Sequence, residues 1–163
     1  MELRSTGSGL AGRLVALLNA RGLVCATAES CTGGGVGAAI TSVPGASSVF
    51  SGGVVSYANE VKRDVLGVPD GVLSAKGAVS PECAAAMADG VRRLMNADIA
   101  VSLTGIAGPD GGSAEKPVGL VWFGLSTSTG VRTERAVFPG DREQVRAAAV
   151  DHALGMLTIA AMR

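Results

Sequence analysis

The sequence predicts an α/β fold: a three-layer α/β/α single domain built on a mixed β-sheet. Three observations carry this. Segments of helical period alternate with short apolar runs, as expected when helices cross over a parallel sheet. A strand pair closed by a turn follows the last of these runs, so the sheet must also hold antiparallel strands. The length of 163 residues, 47% of them hydrophobic and 17% charged, suits one core and excludes a disordered chain.

The elements can be justified in order. Residues 1–7 read as a loose tail, with the domain proper spanning 8–163. From Ser8, the spacing of Leu10, Leu14, Leu17 and Leu18 predicts a helix that Gly22 closes. Leu23–Ala28 reads as a buried strand, followed by the glycine-rich turn Glu29–Gly35 and a helix over Val36–Thr41 that Pro44-Gly45 ends. Ser48–Tyr57 is β-rich, with Gly52-Gly53 marking a bulge or a close backbone approach. Asn59 is an N-cap candidate for a helix through Leu66, and Pro69-Asp70 begins a turn or short helix. Ser80-Pro81 opens a helix to about Leu94 with proline at its first position. Ile99–Leu103 is a second buried strand, leaving through a second glycine-rich turn, Thr104–Gly112. Val118–Ser126 and Val131–Phe138 pair around Ser128-Thr129-Gly130, and Asp141 with Gln144 is a capping-box pattern for a long final helix.

Composition narrows the function. Fourteen basic and fourteen acidic side chains balance, which argues against nucleic acid held through bulk charge. The longest apolar stretches, Val118–Leu125 and Ala153–Met162, fall short of the roughly 18–20 residues needed to span a bilayer. No secretory signal pattern is present, so a soluble cytoplasmic protein is expected, without membrane or nucleic-acid partners. Three cysteines without a C-x-x-C pair and a single histidine predict neither a disulfide framework nor a metal site. No cofactor is expected.

The two glycine-rich turns are the first candidates for chemistry. Each follows a buried strand, and in open α/β sheets ligands bind beyond the carboxyl ends of strands. Neither turn matches a P-loop or dinucleotide fingerprint. The segment from Ser30 to Gly34 reads as opening a helix, whose free N–H groups would bind an anion or oxyanion. Ser30 is then a candidate nucleophile, with Thr32 and Gly33 N–H groups near the developing charge, or simply an N-cap. Cys31 is its rival, because helix N-termini lower thiol pKa values, or else a small core residue. His152 falls in register with Val145, Ala148, Ala149 and Met156, the pattern of a packed core histidine, so a Ser-His-Asp triad is disfavoured. The alternative base is Lys62. Its place in the first turn of a helix opposes the dipole, and partial burial would add to the lowering of its pKa. Lys62 could take the Ser30 proton directly or through Tyr57; the plain alternatives are a solvated lysine and a half-buried tyrosine. In the last helix, Leu154, Leu157 and Ala161 form a second apolar stripe, either sandwiched in the core or shared with another subunit, and a homodimer is expected from it.

The segments Ala28–Gly34 (AESCTGG), Tyr57–Lys62 (YANEVK), Gly77–Ser80 (GAVS), Thr104–Gly112 (TGIAGPDGG), Lys116–Gly119 (KPVG) and Phe138–Arg142 (FPGDR) occur in that order. Together they resemble the CinA C-terminal domain family over nearly everything from Ser8 onward. The resemblance implies a metal-free hydrolase, one that converts nicotinamide mononucleotide and water to nicotinate mononucleotide and ammonia. It places the family's catalytic serine at Ser30, its tyrosine at Tyr57 and its lysine at Lys62. It implies a nucleotide pocket lined by the Thr104–Gly112 turn, here Thr104, Gly105, Ala107, Gly108, Pro109 and Gly111, with Arg142. Thr32, Gly33, Gly34 and Asn59 are also expected to contact substrate. The additional N-terminal domain of tandem family members is not expected here. The alternatives that stay open are a catalytically weak nucleotide-binding member and a protein-interaction module.

Overall fold

A computed structural model describes residues 6–163. The expected tail at 1–7 lies outside the described residues except for its last two positions, where helix α1 (Thr6–Arg21) has already begun. The remaining elements are β1 (Cys25–Glu29), α2 (Gly35–Thr41), a 3₁₀ turn at Ala46–Ser48, β2 (Phe50–Val55), α3 (Asn59–Asp64), α4 (Asp70–Ala75), α5 (Pro81–Leu94), β3 (Ile99–Gly105), β4 (Leu120–Thr127), β5 (Gly130–Val137) and α6 (Arg142–Ala161). The five strands form one sheet in the order β2-β1-β3-β4-β5. Strand β1 runs parallel to β2 and β3, while β3–β4 and β4–β5 are antiparallel. The expected mixed sheet is present, with α1, α2 and α6 on one face and α5 on the other.

The two faces differ in side-chain size. Val101, Leu103, Phe123 and Leu125 project into the core shared with α1, α2 and α6. The opposite face presents Ala26, Ala28, Ala100, Ser102 and Gly124, a floor of small residues that lets α5 settle close. Ser102 Oγ donates to the Ala84 carbonyl of α5 at 2.5 Å and accepts from the Gly124 N–H at 3.1 Å. Central strands buried on both faces read as unbroken apolar or small-residue runs, the pattern seen in β1 and β3. Both expectations for Gly52-Gly53 hold: the β1–β2 register slips by one residue beside it, and a Cβ on Gly53 would overlap Thr27.

The capping expectations divide. Asp141 and Gln144 form the capping box, and Ser80 caps α5 through the Cys83 N–H. Asn59 is not a cap. The Lys62 N–H bonds to the Ala58 carbonyl, which makes extended Ala58 the cap and Asn59 the first helical residue. The apolar stripe Leu154, Leu157 and Ala161 is buried in the same core as Leu14 and Leu18, where α1 packs on α6. It is sandwiched within the chain, so it supplies no argument for a second subunit. His152 packs its ring 4.3 Å from that of Phe123 and sets its Nε2 3.0 Å from Glu134 Oε2, but it is partly exposed and lies at the edge of the core rather than within it. Among the described residues, no helix is long and apolar enough to cross a membrane.

Gly124 tests the floor beneath α5, because a Cβ there would overlap the Ala84 carbonyl oxygen. Gly124→Ala is expected to destabilise the fold by about 1–3 kcal/mol, read as a lower urea midpoint at unchanged slope. An unchanged midpoint would contradict the close packing.

Candidate active site

Three backbone segments meet at the carboxyl end of β1. Ser30 follows the strand directly, and its N–H still reaches the Leu103 carbonyl of β3 at 3.0 Å. On the other side, the Ser56 N–H continues the β2 ladder to the Glu29 carbonyl at 2.8 Å. The chain then turns through Tyr57 and Ala58 into α3, and Lys62 reaches back over that turn. Its side chain is 1% exposed, which removes the reading of a solvated surface charge. The Nζ atom lies 2.6 Å from the Ser56 carbonyl oxygen, 3.2 Å from that of Tyr57 and 3.1 Å from Ser30 Oγ.

A charged amine would donate one N–H to each of these three oxygens; a neutral one must receive a proton from one of them instead. A neutral amine has two N–H donors and one lone pair. Two carbonyl oxygens can only accept, so they take the two N–H groups. The remaining partner, the Ser30 hydroxyl, can then donate to the lone pair. Burial pushes the Lys62 amine below its ordinary range, and this outweighs the opposing attraction of Cys83 and Cys31. The cause differs in part from the sequence expectation: α3 spans only six residues, and burial dominates over any helix dipole.

Tyr57 stands elsewhere than expected. It is 62% exposed, and its hydroxyl accepts from Arg142 Nη2 at 3.3 Å. Lys62 touches Ser30 directly, so no phenol relays between them; Tyr57 serves Lys62 through its backbone carbonyl. Arg142 also donates through Nη1 to the Gly108 carbonyl at 2.9 Å, linking Tyr57 to the second glycine-rich turn.

The turn after Ser30 also departs from expectation. Helix α2 begins only at Gly35, so Ser30 is not its N-cap. Gly33 and Gly34 take φ values of +60° and +102°, which favours glycine at both positions. The helix's leading N–H groups are not free for a ligand. Buried Glu29 accepts from the Val36 N–H at 2.9 Å, the Gly37 N–H at 3.0 Å and the Thr32 hydroxyl at 2.6 Å. The Gly33 N–H, expected at the oxyanion, is donated to the Ser30 carbonyl at 3.0 Å. The N–H groups of Cys31 and Thr32 are bonded to no other residue among the described residues; the Cys31 N–H lies only against its own thiol. Sequence reasoning missed Glu29 and Arg146; the latter reaches from α6 to the Cys31 carbonyl (Nε, 3.1 Å) and the Thr32 carbonyl (Nη2, 3.3 Å). The signal for Glu29 was its place inside the AESCTGG segment. Arg146 carried none beyond lying one helical turn from Arg142.

Burial weighs against Cys31 as the nucleophile: it pushes the thiol up to about 11, with its own backbone N–H, Arg146 and Lys62 only partly offsetting it. The other expected binding residues divide into supports and surface. Thr104 and Gly105 belong to β3 rather than a turn; Thr104 is buried and donates to the Ala78 carbonyl at 2.9 Å. Ala107 lies in the core. Asn59, Pro109 and Gly111 are exposed. A cavity of about 740 Å³ at the opposite end of the sheet shares no residue with this cluster. Its Arg21, Arg92 and Arg163 stand in or just past the last turns of α1, α5 and α6, where cations offset helix dipoles. Among the described residues, no group of His, Cys, Asp or Glu is placed to hold a metal ion.

Comparison with known proteins gives a consistent result. The family profile described as CinA C-terminal domain matches residues 8–160. A putative competence-damage inducible protein of Halothermothrix orenii is 56% identical over 131 residues, 80% of this chain and 32% of that protein. A CinA-like protein of Gemmatimonas aurantiaca is 50% identical over 137 residues, covering 84% and 32%. The chain thus spans about a third of the length of these curated relatives. Among solved structures, the competence/damage inducible protein CihA from Agrobacterium tumefaciens superposes with a TM-score of 0.94 at 43% identity, covering 100% of both chains. A CinA superfamily protein from Klebsiella pneumoniae gives 0.92 at 38% identity, covering 96% of this chain and 98% of that one.

The effect of burial on the Cys31 thiol can be read by alkylation. With iodoacetamide near pH ~8, Cys31 is expected to stay unmodified in the native protein and to react once urea unfolds it, as read by mass spectrometry. Rapid alkylation of native Cys31 would restore it as a nucleophile.

Proposed function

Because the chain belongs to the CinA C-terminal domain family, we propose that it hydrolyses a linear amide, deamidating nicotinamide mononucleotide to nicotinate mononucleotide and ammonia. The observation that carries this reading is the contact of Lys62 Nζ with Ser30 Oγ at 3.1 Å, with two carbonyls occupying the amine's other directions. The substrate follows from the family resemblance and from the chemistry near Ser30. Arg142 offers a guanidinium for a phosphate, beside the Gly108 turn and the exposed ring of Tyr57.

The reaction can be followed atom by atom. Ser30 Oγ attacks the amide carbon as its proton passes to Lys62 Nζ, and the carbonyl oxygen becomes an oxyanion facing the Cys31 and Thr32 N–H groups. The intermediate collapses, the C–N bond breaks, and the Lys62 ammonium returns the proton to the departing nitrogen as ammonia. An ester on Ser30 remains. Water attacks that ester, giving one proton to Lys62. The carbon–Oγ bond then breaks, Oγ regains the proton, and the carboxylic acid product leaves. Lys62 serves twice as base and twice as acid.

This reading makes two predictions. Purified protein with chelator present is expected to release ammonia from nicotinamide mononucleotide, and Ser30→Ala to lower kcat on the order of a thousandfold or more. Cys31→Ala is expected to keep its activity. Absence of ammonia from the unmodified protein would instead favour a binding module. The pH dependence has a defined sign. Lys62 must be neutral to accept the proton, so kcat/KM is expected to rise with pH through an ionisation below the ordinary lysine range of about 10.4. Activity that falls over that interval would exclude a neutral lysine base.

A further inference from the structure

We infer that Glu29 and Arg146 are the positioning residues of the oxyanion pocket, holding the Ser30–Gly33 turn through the Thr32 hydroxyl and through the Cys31 and Thr32 carbonyls; this rests on the hydrolase reading above. Hydrolases often place such a pocket at a helix N-terminus, where the helix itself fixes the donors. Here that terminus is closed by the chain's own Glu29 side chain. The remaining donors, the Cys31 and Thr32 N–H groups, sit in a turn with no ladder to hold them.

The hydrogen bonds supply what regular structure does not. In a trans peptide, the N–H of one residue points opposite to the carbonyl of the residue before it. Arg146 Nε holds the Cys31 carbonyl at 3.1 Å, which sets the direction of the Thr32 N–H. Gly33 holds the Ser30 carbonyl at 3.0 Å, which sets the direction of the Cys31 N–H. Arg146 Nη2 steadies the next plane through the Thr32 carbonyl at 3.3 Å. Glu29, 2% exposed, anchors the Thr32 side chain at 2.6 Å and joins it to the start of α2. Both clamps act on the turn's peptide planes or side chains, and neither touches Ser30 Oγ or Lys62 Nζ. They therefore govern how well a negative oxygen is received, leaving the base to Lys62.

The test uses a fluorophosphonate probe, whose phosphonyl oxygen needs the same pocket. In the labelling step Ser30 Oγ bonds to phosphorus, the P–F bond breaks, fluoride leaves, and the hydroxyl proton passes to Lys62. Labelling rate, kcat and KM for nicotinamide mononucleotide and the melting temperature are measured for the unmodified protein, Glu29→Gln, Arg146→Ala and Arg146→Lys. Glutamine keeps the shape but turns one acceptor into an amide donor that faces an N–H group. Glu29→Gln and Arg146→Ala are expected to be labelled about tenfold or more slowly and to lose kcat in step, with KM little changed. Arg146→Lys, which keeps a cation within reach of a carbonyl, is expected to recover part of both rates. Labelling of Glu29→Gln and Arg146→Ala at the unmodified rate would overturn the inference, as would equal loss in Arg146→Ala and Arg146→Lys. If Glu29→Gln fails to fold, the two Arg146 variants decide. Failure of the hydrolase reading looks different: labelled unmodified protein without ammonia removes the substrate, and no labelling of unmodified Ser30 removes the mechanism.

Discussion

A primary amine buried without a carboxylate partner is the constraint on which the site depends. An isolated ammonium is costly to bury, and the cost falls when the group gives up its proton. Lys62 meets two carbonyl oxygens and one hydroxyl, and the hydroxyl is the group that can donate in return. The arrangement replaces imidazole as a base without needing a second ionised residue. It also accounts for the tight turn between β2 and α3, where Ser56 and Tyr57 must present their carbonyls inward.

The sheet delivers these groups to one place. Parallel strands β1 and β2 end side by side, so the residues leaving them, Ser30 and Ser56, lie within reach of a single lysine. Strand β3 pins Ser30 from the other side through the Leu103 carbonyl. The return of α6 then brings Arg142 and Arg146 over the two glycine-rich turns, one to Gly108 and the other to Cys31 and Thr32. The charged rim is thus assembled from residues far apart in sequence, while the base and the nucleophile stand on neighbouring strand exits.

What sequence reasoning could read follows from this geometry. Helical spacing of leucines exposed α1, and unbroken apolar runs exposed the doubly buried strands β1 and β3, because burial dictates which positions are apolar. The capping box of α6 was legible because Asp141 and Gln144 meet across a single turn. Asn59 misled because cap chemistry is permissive: a good capping residue does not oblige the helix to start after it. The pairing of Ser30 with Lys62 followed from their chemistry and the family resemblance, but the direct contact, and hence the dispensability of a Tyr57 relay, depends on side-chain direction. The α2 N-terminus was misjudged for one reason. Local pattern cannot reveal that Glu29, seven residues before Val36, folds back to occupy the donors. Arg146 lies 115 residues from Cys31, and no local pattern joins them.

The mechanism requires that burial lower the Lys62 amine, so that its neutral form is reached before that of an ordinary lysine as pH rises. This is tested most directly by following the Lys62 side-chain nitrogen and adjacent carbon by NMR as pH is raised, with Lys62→Arg assigning the signal. The account predicts a midpoint clearly below the ordinary lysine value of about 10.4. A midpoint at or above that value would contradict it.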